Sequence, residues 1–242
     1  HVKIDDVATR DIWFADEENI VILASETKFV IGFRGEFEYS GAFSFSLKTK
    51  KLTFLLRGTD NIYPAQGDLG RIVGDDADPG YIFMPAYVGD RYSHPNYSLP
   101  RVNLKTGNGR RFKSGVDNTV DWFVDKDGTV LAREDYNNTT DTYRVYTYVN
   151  GKRELIYELE TSQLPPGVTG IKADRSVLLF SDGSDADDSG NVYELDFSGQ
   201  LTPASLGGKG GTIERIIKDG NRFVLGVEYS GAVPSYKFYD PD

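Results

Sequence analysis

Acidic side chains are the most concentrated reactive groups of this chain, which holds 37 Asp and Glu residues in 242 and has a net charge of −10. The segment 181–196, SDGSDADDSGNVYELD, contains five aspartates and crowds four of them into its first eight residues: Asp182, Asp185, Asp187 and Asp188. Read from Asp185, it runs Asp-x-Asp-x-Ser-Gly and reaches Asp196 at the twelfth position. This pattern approximates an EF-hand calcium loop, in which oxygen ligands alternate around a glycine turn.

Two features separate this stretch from a calcium loop. Its twelfth residue is Asp, where the loop uses a bidentate Glu, and its flanks have the composition of strands instead of helices. Asp, Ser and Gly are also the ordinary residues of β-turns. We therefore expect a plain acidic turn, and we assign no metal site and no cofactor-binding residue.

The chain lacks the residues that a serine hydrolase needs. No serine stands in a Gly-x-Ser-x-Gly sequence, the strained turn that presents the nucleophile. The histidines are His1, the first residue, and His94, in the polar stretch RYSHPNYS. We expect His94 to lie in a solvent-exposed loop and to act neither as a general base nor as a ligand. We therefore assign no catalytic residue and expect no enzymatic activity from this chain alone.

Carboxylates could still act in pairs, as in enzymes that cleave polysaccharides with two acidic side chains about 5–10 Å apart. Asp16, Asp121 and Glu134 are candidates for such a pair. Nothing in the sequence ranks them above the other acidic residues, most of which we expect on the surface. A glycoside hydrolase therefore stays open as an alternative function.

Trp13 and Trp122 lie in the strand-like sequences DIWFAD and VDWFVD, and we expect both to pack in the core. Asn137 and Asn138 begin overlapping Asn-x-Thr sequons, and Asn96 begins an Asn-Tyr-Ser sequon. We expect these asparagines to belong to loops between strands.

Composition excludes several classes of protein. Hydrophobic residues make up 39% of the chain and aromatic residues 13%, which is enough to bury a core. The negative charge argues against binding to nucleic acid, which requires clustered Lys and Arg. No apolar run approaches the roughly 20 residues of a membrane span. With no cysteine there is no disulfide or thiolate zinc site. We expect a soluble protein of the periplasm or cytoplasm, which composition does not separate.

The elements that must position these residues are short strands. Most apolar stretches are rich in Val, Ile, Tyr and Phe and end at Gly, Asp or Asn. A strand, a polar turn and a second strand recur at intervals of roughly 40–60 residues: FSLKTKKLTFLL (45–56), RVNLKTGNGRRF (101–112), YTYVNGKRELIY (146–157) and YELDFSGQLTPA (193–204). This period is typical of β-propeller blades. The sequence predicts an all-β propeller of about five four-stranded blades, with a β-sandwich as the alternative.

Three segments resemble the propellers of prolyl oligopeptidase-like serine peptidases, especially the acylaminoacyl-peptidase branch. Residues 120–158 resemble a blade in which a Trp-bearing strand, an Asp-x-Asp-Gly turn and a Tyr-Arg strand follow in order. Residues 70–112 are similar to the preceding blade, with an Asp-Pro turn and a closing Leu-x-Thr-Gly hairpin. Residues 221–242, ending in PSYKFYDPD, look like the last propeller strands before the catalytic domain.

The resemblance implies that residues 1–242 are the propeller domain, a fragment of a longer serine peptidase. Its partners would be a C-terminal α/β-hydrolase domain of the same polypeptide and peptide substrates, with neither nucleic acid nor a membrane involved. The propeller would cover the active site and restrict entry to short peptides. A free-standing propeller that binds proteins or ligands, and a five-bladed glycoside hydrolase, are the alternatives.

The family propeller usually has seven blades, so five could be part of a larger ring. In that case we expect an open arc, or self-association that covers the unpaired edge. A strand at 235–240 that pairs with residues 11–35 would instead indicate a closed five-bladed ring.

Overall fold

A computed structural model of the protein describes residues 7–29, 34–63, 66–67, 69–90, 94–161, 167–181, 192–204, 206 and 213–239. It consists of two compact units, His1–Thr129 and Val130–Asp242. All regular elements in the described residues are β-strands, which form five antiparallel sheets in chain order.

The first unit contains the strands β1 (Ala8–Phe14), β2 (Asn19–Phe29), β3 (Glu36–Ser46), β4 (Leu52–Phe54), β5 (Gly74–Asp75), β6 (Tyr81–Phe83), β7 (Ala86–Val88), β8 (Asn96–Asn103), β9 (Gly109–Lys113) and β10 (Thr119–Val124). The second unit contains the strands β11 (Val130–Asn137), β12 (Thr142–Thr147), β13 (Glu154–Glu160), β14 (Gly167–Ile171), β15 (Val177–Ser181), β16 (Val192–Asp196), β17 (Leu201–Pro203), β18 (Ile213–Lys218), β19 (Val224–Tyr229) and β20 (Ser235–Phe238).

Each sheet joins strands that follow one another in the chain. The orders are β1–β2–β3–β4, β10–β11–β12–β13, β14–β15–β16–β17 and, among the described residues, β18–β19–β20. In the second sheet, β6 and β7 both pair with β8, as Phe83 with Arg101 and Ala86 with Ser98. They are the two halves of one strand, interrupted where Pro85 has no N–H to give to the ladder.

The predicted fold class, an all-β propeller of about five four-stranded blades, is confirmed by this order of sheets. The second sheet counts as four-stranded because β6 and β7 share one position. Strand β20 pairs with β19, with Gly226 opposite Phe238. Membership of a larger, seven-bladed propeller and the closure of a ring stay predictions.

One apolar core joins the first two sheets of the first unit. It contains nine buried residues from both sheets and their connection: Val21, Ala42, Leu55, Leu56, Ile82, Met84, Ala86, Val102 and Leu104. Full burial of the Val, Leu, Ile and Met side chains among them contributes about 1.5–3 kcal/mol each. Trp13 is half-buried beside this core and donates its indole N–H to Asp75 Oδ1 at 2.9 Å. Trp122 is fully buried, as predicted.

The Leu-x-Thr-Gly hairpin is fastened to the first sheet at Gly107. The Leu56 N–H donates to the Gly107 carbonyl oxygen at 2.7 Å, which brings the two backbones together. Gly107 has φ of +77°, and a Cβ atom on it would lie 2.3 Å from the Phe54 carbonyl oxygen. Only glycine fits this position, because both the backbone conformation and the space exclude a side chain.

We expect Gly107→Ala to destabilise the protein more than Gly151→Ala does. Gly151 has a similar φ of +74°, but a Cβ atom on it would meet nothing within 4 Å, so both variants strain the backbone by about 1–2 kcal/mol. The clash with Phe54 adds a further loss of about 1–3 kcal/mol at Gly107 alone. Urea unfolding of both variants measures the difference, and equal losses would contradict the close approach.

Candidate functional site

The first unit contains a cleft of about 760 Å³ that is lined by three tyrosines, Tyr63, Tyr87 and Tyr97. Its other lining residues include Glu38 and Gln66. A concave site with aromatic walls and a few polar groups is the usual form of a ligand-binding site in proteins.

The three tyrosines form a ladder across neighbouring backbone segments. Tyr87 on β7 is the register partner of Tyr97 on β8, and their ring centroids lie 4.8 Å apart. Tyr63 donates its N–H to the Tyr87 carbonyl oxygen at 2.8 Å, next to the bridge between Ile62 and Val88. Residues directly opposite in antiparallel pairs present their side chains on the same face of a sheet. The tyrosine ladder, Tyr63–Tyr87–Tyr97, therefore faces the cleft as one row.

Gln66 fixes the backbone of the ladder. Its Nε2 donates to the carbonyl oxygens of Tyr63 and Tyr87, both at 2.9 Å, and its Oε1 accepts from the Tyr87 N–H at 2.9 Å. The residue is 8% exposed. Buried hydrogen bonds of this kind are costly to lose, because the partner groups would be left without water. The Gln66 amide thus bonds to the backbone as a neighbouring strand would, and it fixes the positions of Tyr63 and Tyr87.

Tyr97 is anchored from the opposite side. The Trp122 indole N–H donates to its carbonyl oxygen at 3.1 Å. A Cβ atom on Gly115 would lie 2.0 Å from the same oxygen, so only glycine permits this approach. The Arg71 guanidinium donates to the Tyr97 hydroxyl as well as to Asp121. Both the backbone carbonyl and the side-chain hydroxyl of Tyr97 are therefore restrained.

Glu38 provides a charge at the cleft. Its Oε1 accepts from the Ser25 hydroxyl at 2.7 Å and pairs with Arg10, and about half of its side chain is exposed. The hydrogen bond from Ser25, followed by the hydrogen bond and charge of Arg10, lowers the pKa of the Glu38 carboxyl. The group is therefore ionised at neutral pH.

The acidic candidates of the first unit have structural partners. Asp121 Oδ2 pairs with Arg71 at 2.5 Å, and its Oδ1 accepts from the Trp122 N–H at 2.6 Å. Asp16 lies in the turn after β1, where it accepts from the N–H of Glu18 at 2.8 Å and of Gly80 at 3.1 Å. Both carboxylates satisfy local donors, which is the common role of such residues in turns and pairs.

Glu134 has a comparable position in the second unit. It lies on β11, is 4% exposed, and accepts from the Val168 N–H at 2.7 Å and from the Tyr143 hydroxyl. Its neighbours on the same strand, Arg133 and Asp135, form an ion pair at 2.6 Å. This carboxylate connects β11, β12 and β14, and removing it would leave a buried N–H without its acceptor.

The other sequence candidates are distributed as follows. His94 is exposed, as predicted. The expectation that Asn137 and Asn96 lie in loops is wrong, because Asn137 is the last residue of β11 and Asn96 the first residue of β8. The Asn137 side chain accepts from the N–H of Thr139 at 2.9 Å in the turn that follows. The first four aspartates of the acidic stretch, at 182, 185, 187 and 188, lie outside the described residues.

Asp196, the last residue of the acidic stretch, caps the turn between β16 and β17. Its Oδ1 accepts from the Ser198 hydroxyl at 2.7 Å and from the Gln200 N–H at 2.8 Å. These contacts, led by the Ser198 hydroxyl, lower the pKa of Asp196. Within the described ranges, no three His, Cys, Asp or Glu residues are grouped as metal ligands. The same part of the chain contains no helix with the length and hydropathy of a membrane span.

The Asp-Pro turn of the second blade is closed by Arg101 on β8. Its guanidinium donates to Asp76 at 2.7 Å and to Asp78 at 3.0 Å, and it stacks 3.8 Å from the Tyr81 ring centroid. Burial raises the pKa of Asp76, but the Arg101 and Asp78 N–H hydrogen bonds and the Arg101 charge outweigh it. The pKa of Asp76 therefore lies below its ordinary value of 3.8.

The tyrosine ladder was not among the sequence candidates. The three tyrosines are separated by 24 and by 10 positions, so only strand register brings them together. A signal was present, because Tyr87 and Tyr97 both lie in short apolar segments that flank a polar loop. That signal indicates a hairpin but not which ring faces which.

Comparison with known proteins gives structural neighbours only. No family model and no curated protein matches the chain. The β-propeller domain of the Trilobed protease from Pyrococcus furiosus, with its open velcro topology, aligns with 100% of this chain and 83% of its own at 10% identity and a TM-score of 0.46. An acylaminoacyl peptidase complexed with a chloromethyl ketone aligns with 92% of this chain at 9% identity and a TM-score of 0.41.

A third neighbour is a putative 6-phosphogluconolactonase from Bacteroides fragilis, with 12% identity, 90% of this chain and 75% of that chain covered, and a TM-score of 0.40. This chain spans 42% of the acylaminoacyl peptidase chain. Peptidase propellers are thus among the neighbours, but likeness at this level does not identify a branch and carries no argument about activity.

We expect Arg101→Met to lower the free energy of unfolding by about 1.5–3 kcal/mol at pH 7, since it removes charge-assisted hydrogen bonds to Asp76. Because the pKa of Asp76 is lower in the folded than in the unfolded protein, its ionised carboxylate stabilises the fold above pH 3.8. This contribution disappears as the pH falls through the lowered pKa. The difference between wild type and variant should therefore shrink near pH 3.

Urea unfolding at pH 7 and pH 3 measures both effects. Arg144→Met is the matched control, because Arg144 pairs with Glu158 at 2.5 Å but their side chains are 36% and 47% exposed. An exposed pair of this kind contributes only about 0.2–1 kcal/mol. A loss for Arg101→Met that is the same at both pH values would show that the Asp76 pair is not its cause.

We expect calcium to leave the melting temperature unchanged, because Asp196 already bonds to its own turn. Asp196→Ala should lower the melting temperature equally in calcium and in a chelator. Asp174→Ala is the matched control and should behave in the same way, because Asp174 Oδ1 accepts from the hydroxyl and the N–H of Ser176 at 2.5 Å and 3.0 Å. Thermal unfolding followed by circular dichroism provides the measurement. A calcium-dependent increase that disappears in Asp185→Ala would establish a metal site instead.

Proposed function

We propose that this chain is a non-catalytic propeller module of a serine peptidase of the prolyl oligopeptidase type, within the acylaminoacyl-peptidase branch. The module covers the active site of a C-terminal α/β-hydrolase domain in the same polypeptide. It admits short peptides, and the reaction takes place in the hydrolase domain.

The observation that carries the proposal is the agreement between family-like segments and blades. Residues 70–112 match the second sheet, which runs from Gly74 to Lys113. Residues 120–158 match the third sheet, from Thr119 to Glu160, and residues 221–242 include β19 and β20. Each motif that supports the resemblance is therefore part of a blade in its expected order, including the Asp-Pro turn and the Leu-x-Thr-Gly hairpin.

The state of the acidic residues also supports a scaffold role. Asp121 and Glu134, which are buried, each bond to groups whose loss would destabilise their unit. A general acid or base needs access to the substrate and a pKa near the working pH. The cleft of the first unit offers aromatic faces instead, which suits contact with a peptide better than proton transfer.

The two alternatives differ in what they require. A free-standing binding platform needs no hydrolase domain, and the tyrosine-lined cleft is the observation that favours it. A five-bladed glycoside hydrolase needs a pair of available carboxylates, and the three candidates Asp16, Asp121 and Glu134 have the structural partners described above. The glycosidase is therefore the less supported of the two.

We expect the purified chain to hydrolyse neither acyl-peptides, aminoacyl-nitroanilides nor esters, because its sequence contains no Gly-x-Ser-x-Gly elbow and His94, the histidine that the structure describes, is exposed. Polysaccharides should also remain intact. Turnover that a serine-directed inhibitor abolishes would contradict the proposal, and release of sugars that Glu134→Gln abolishes would favour the glycosidase.

The gating role needs the full-length protein. On this proposal its reading frame continues past Asp242 into a region with Gly-x-Ser-x-Gly, and the enzyme cleaves a short peptide far faster than the same sequence within a folded protein. A reading frame without that motif would favour the free-standing platform. Equal cleavage of both substrates by an enzyme that has the motif would refute the gating role.

A further inference from the structure

Two polar side chains beside the tyrosine ladder, Gln66 and Thr119, are engaged within the protein. The Gln66 amide uses both of its N–H groups and its oxygen on the backbone of Tyr63 and Tyr87. The Thr119 hydroxyl accepts from the Val116 N–H at 2.9 Å. What remains for a ligand is the three tyrosine rings with their hydroxyl groups, the Glu38 carboxylate and apolar surface at Val120, which is 44% exposed.

This distribution favours one class of ligand over another. An oligosaccharide presents many hydroxyl groups and needs several side chains that can hydrogen-bond to them. A proline-rich segment presents pyrrolidine rings, which pack on aromatic faces, and it has few N–H groups that need acceptors. Grooves that recognise such segments are accordingly lined with aromatic side chains.

The dimensions of the ladder suit the same ligand. Three adjacent segments at the usual strand spacing of about 4.8 Å extend across about 10 Å. A polyproline II helix rises about 3.1 Å per residue, so one turn of three residues covers this width. Because backbone hydrogen bonds fix the ladder, binding would order few groups in the protein, and this lowers the cost of association.

Glu38 adds a preference for charge. The Glu38 Oε1 atom makes the contacts with Ser25 and Arg10, and about half of the Glu38 side chain is exposed. The chain as a whole has a net charge of −10, which attracts cationic ligands. A Lys or Arg next to the prolines would therefore be favoured over an acidic residue.

We propose that the tyrosine ladder binds a proline-rich peptide segment in the polyproline II conformation, with a flanking Lys or Arg directed to Glu38. The inference stands on the geometry of the first unit and holds for a peptidase module and for a free-standing platform alike. Its test uses this chain and needs no hydrolase activity, so its outcome is separate from that of the proposed function.

Isothermal titration calorimetry of the whole chain with a capped peptide of six prolines and one arginine tests the inference. Saturable binding is expected, and a Gly-Ser peptide of equal length and charge should bind at least tenfold more weakly. Tyr87→Ala should weaken binding at least tenfold, whereas Tyr87→Phe should retain it because the ring remains. Tyr236→Ala, which removes an exposed tyrosine on β20, is the matched control and should bind like wild type.

Two further variants separate the ladder from its supports. Val120→Arg places a bulky cation in the cleft at an exposed position, so it should abolish binding without unfolding the chain. Gln66→Leu should weaken binding while all three tyrosines remain, as expected of a positioning residue. Glu38→Gln should weaken binding of the arginine-bearing peptide several-fold and leave a hexaproline without arginine unaffected.

Several results would overturn the inference. These are tight binding that survives both Tyr87→Ala and Val120→Arg, equal affinity for the Gly-Ser peptide, or no saturable binding of the proline peptide. Tighter binding of cellohexaose or xylohexaose than of the peptide would assign the cleft to carbohydrate. Equal effects of Glu38→Gln on the two proline peptides would refute the charged contact.

Discussion

The apolar core shared by the first two sheets is the constraint on which the tyrosine cleft depends. Leu55, Ile82 and Met84 are at most 1% exposed within it. Hydrogen bonds from Trp13 to Asp75 and from Leu56 to Gly107 join the same two sheets at other points. Since interiors pack as densely as organic crystals, a shift of one sheet against the other would open voids in this core. The core thereby fixes the distance between the sheet that contains Tyr87 and the strand that contains Glu38.

Three aspartates that are at most about one-eighth exposed are each paired with an arginine. Arg71 pairs with Asp121, Arg101 with Asp76, and Arg133 with Asp135. A buried carboxylate that loses its guanidinium partner is strongly destabilising, so these acids are poorly available for chemistry. The cleft of the first unit is lined instead by three tyrosines together with Glu38 and Gln66. This arrangement agrees with the non-catalytic role that we propose.

Much of the architecture was predictable from local patterns. The short strands and the repeated strand–turn–strand unit predict blades, and the Asp-x-Asp-Gly turn lies between β10 and β11 as expected. Strand boundaries are less predictable: the apolar stretch GYIFMPAYV (80–88) has the composition of one strand, but Pro85 divides it into β6 and β7. The tyrosine ladder could not be predicted, because it depends on register between distant segments and on a Gln66 side chain that acts as a strand partner. A one-residue slip would turn each ring to the opposite face.

The exposed Glu38 and the backbone-fixed tyrosines would influence different steps of an encounter with a cationic peptide. A charge at the surface acts over a Debye length of about 8 Å at physiological salt and mainly changes the rate of association. Contact with rings that are already in place mainly determines the rate of dissociation. Ionic strength would therefore control how often a peptide arrives, while its residence time would depend on the hydrogen bonds that Gln66 makes to the backbone of Tyr63 and Tyr87.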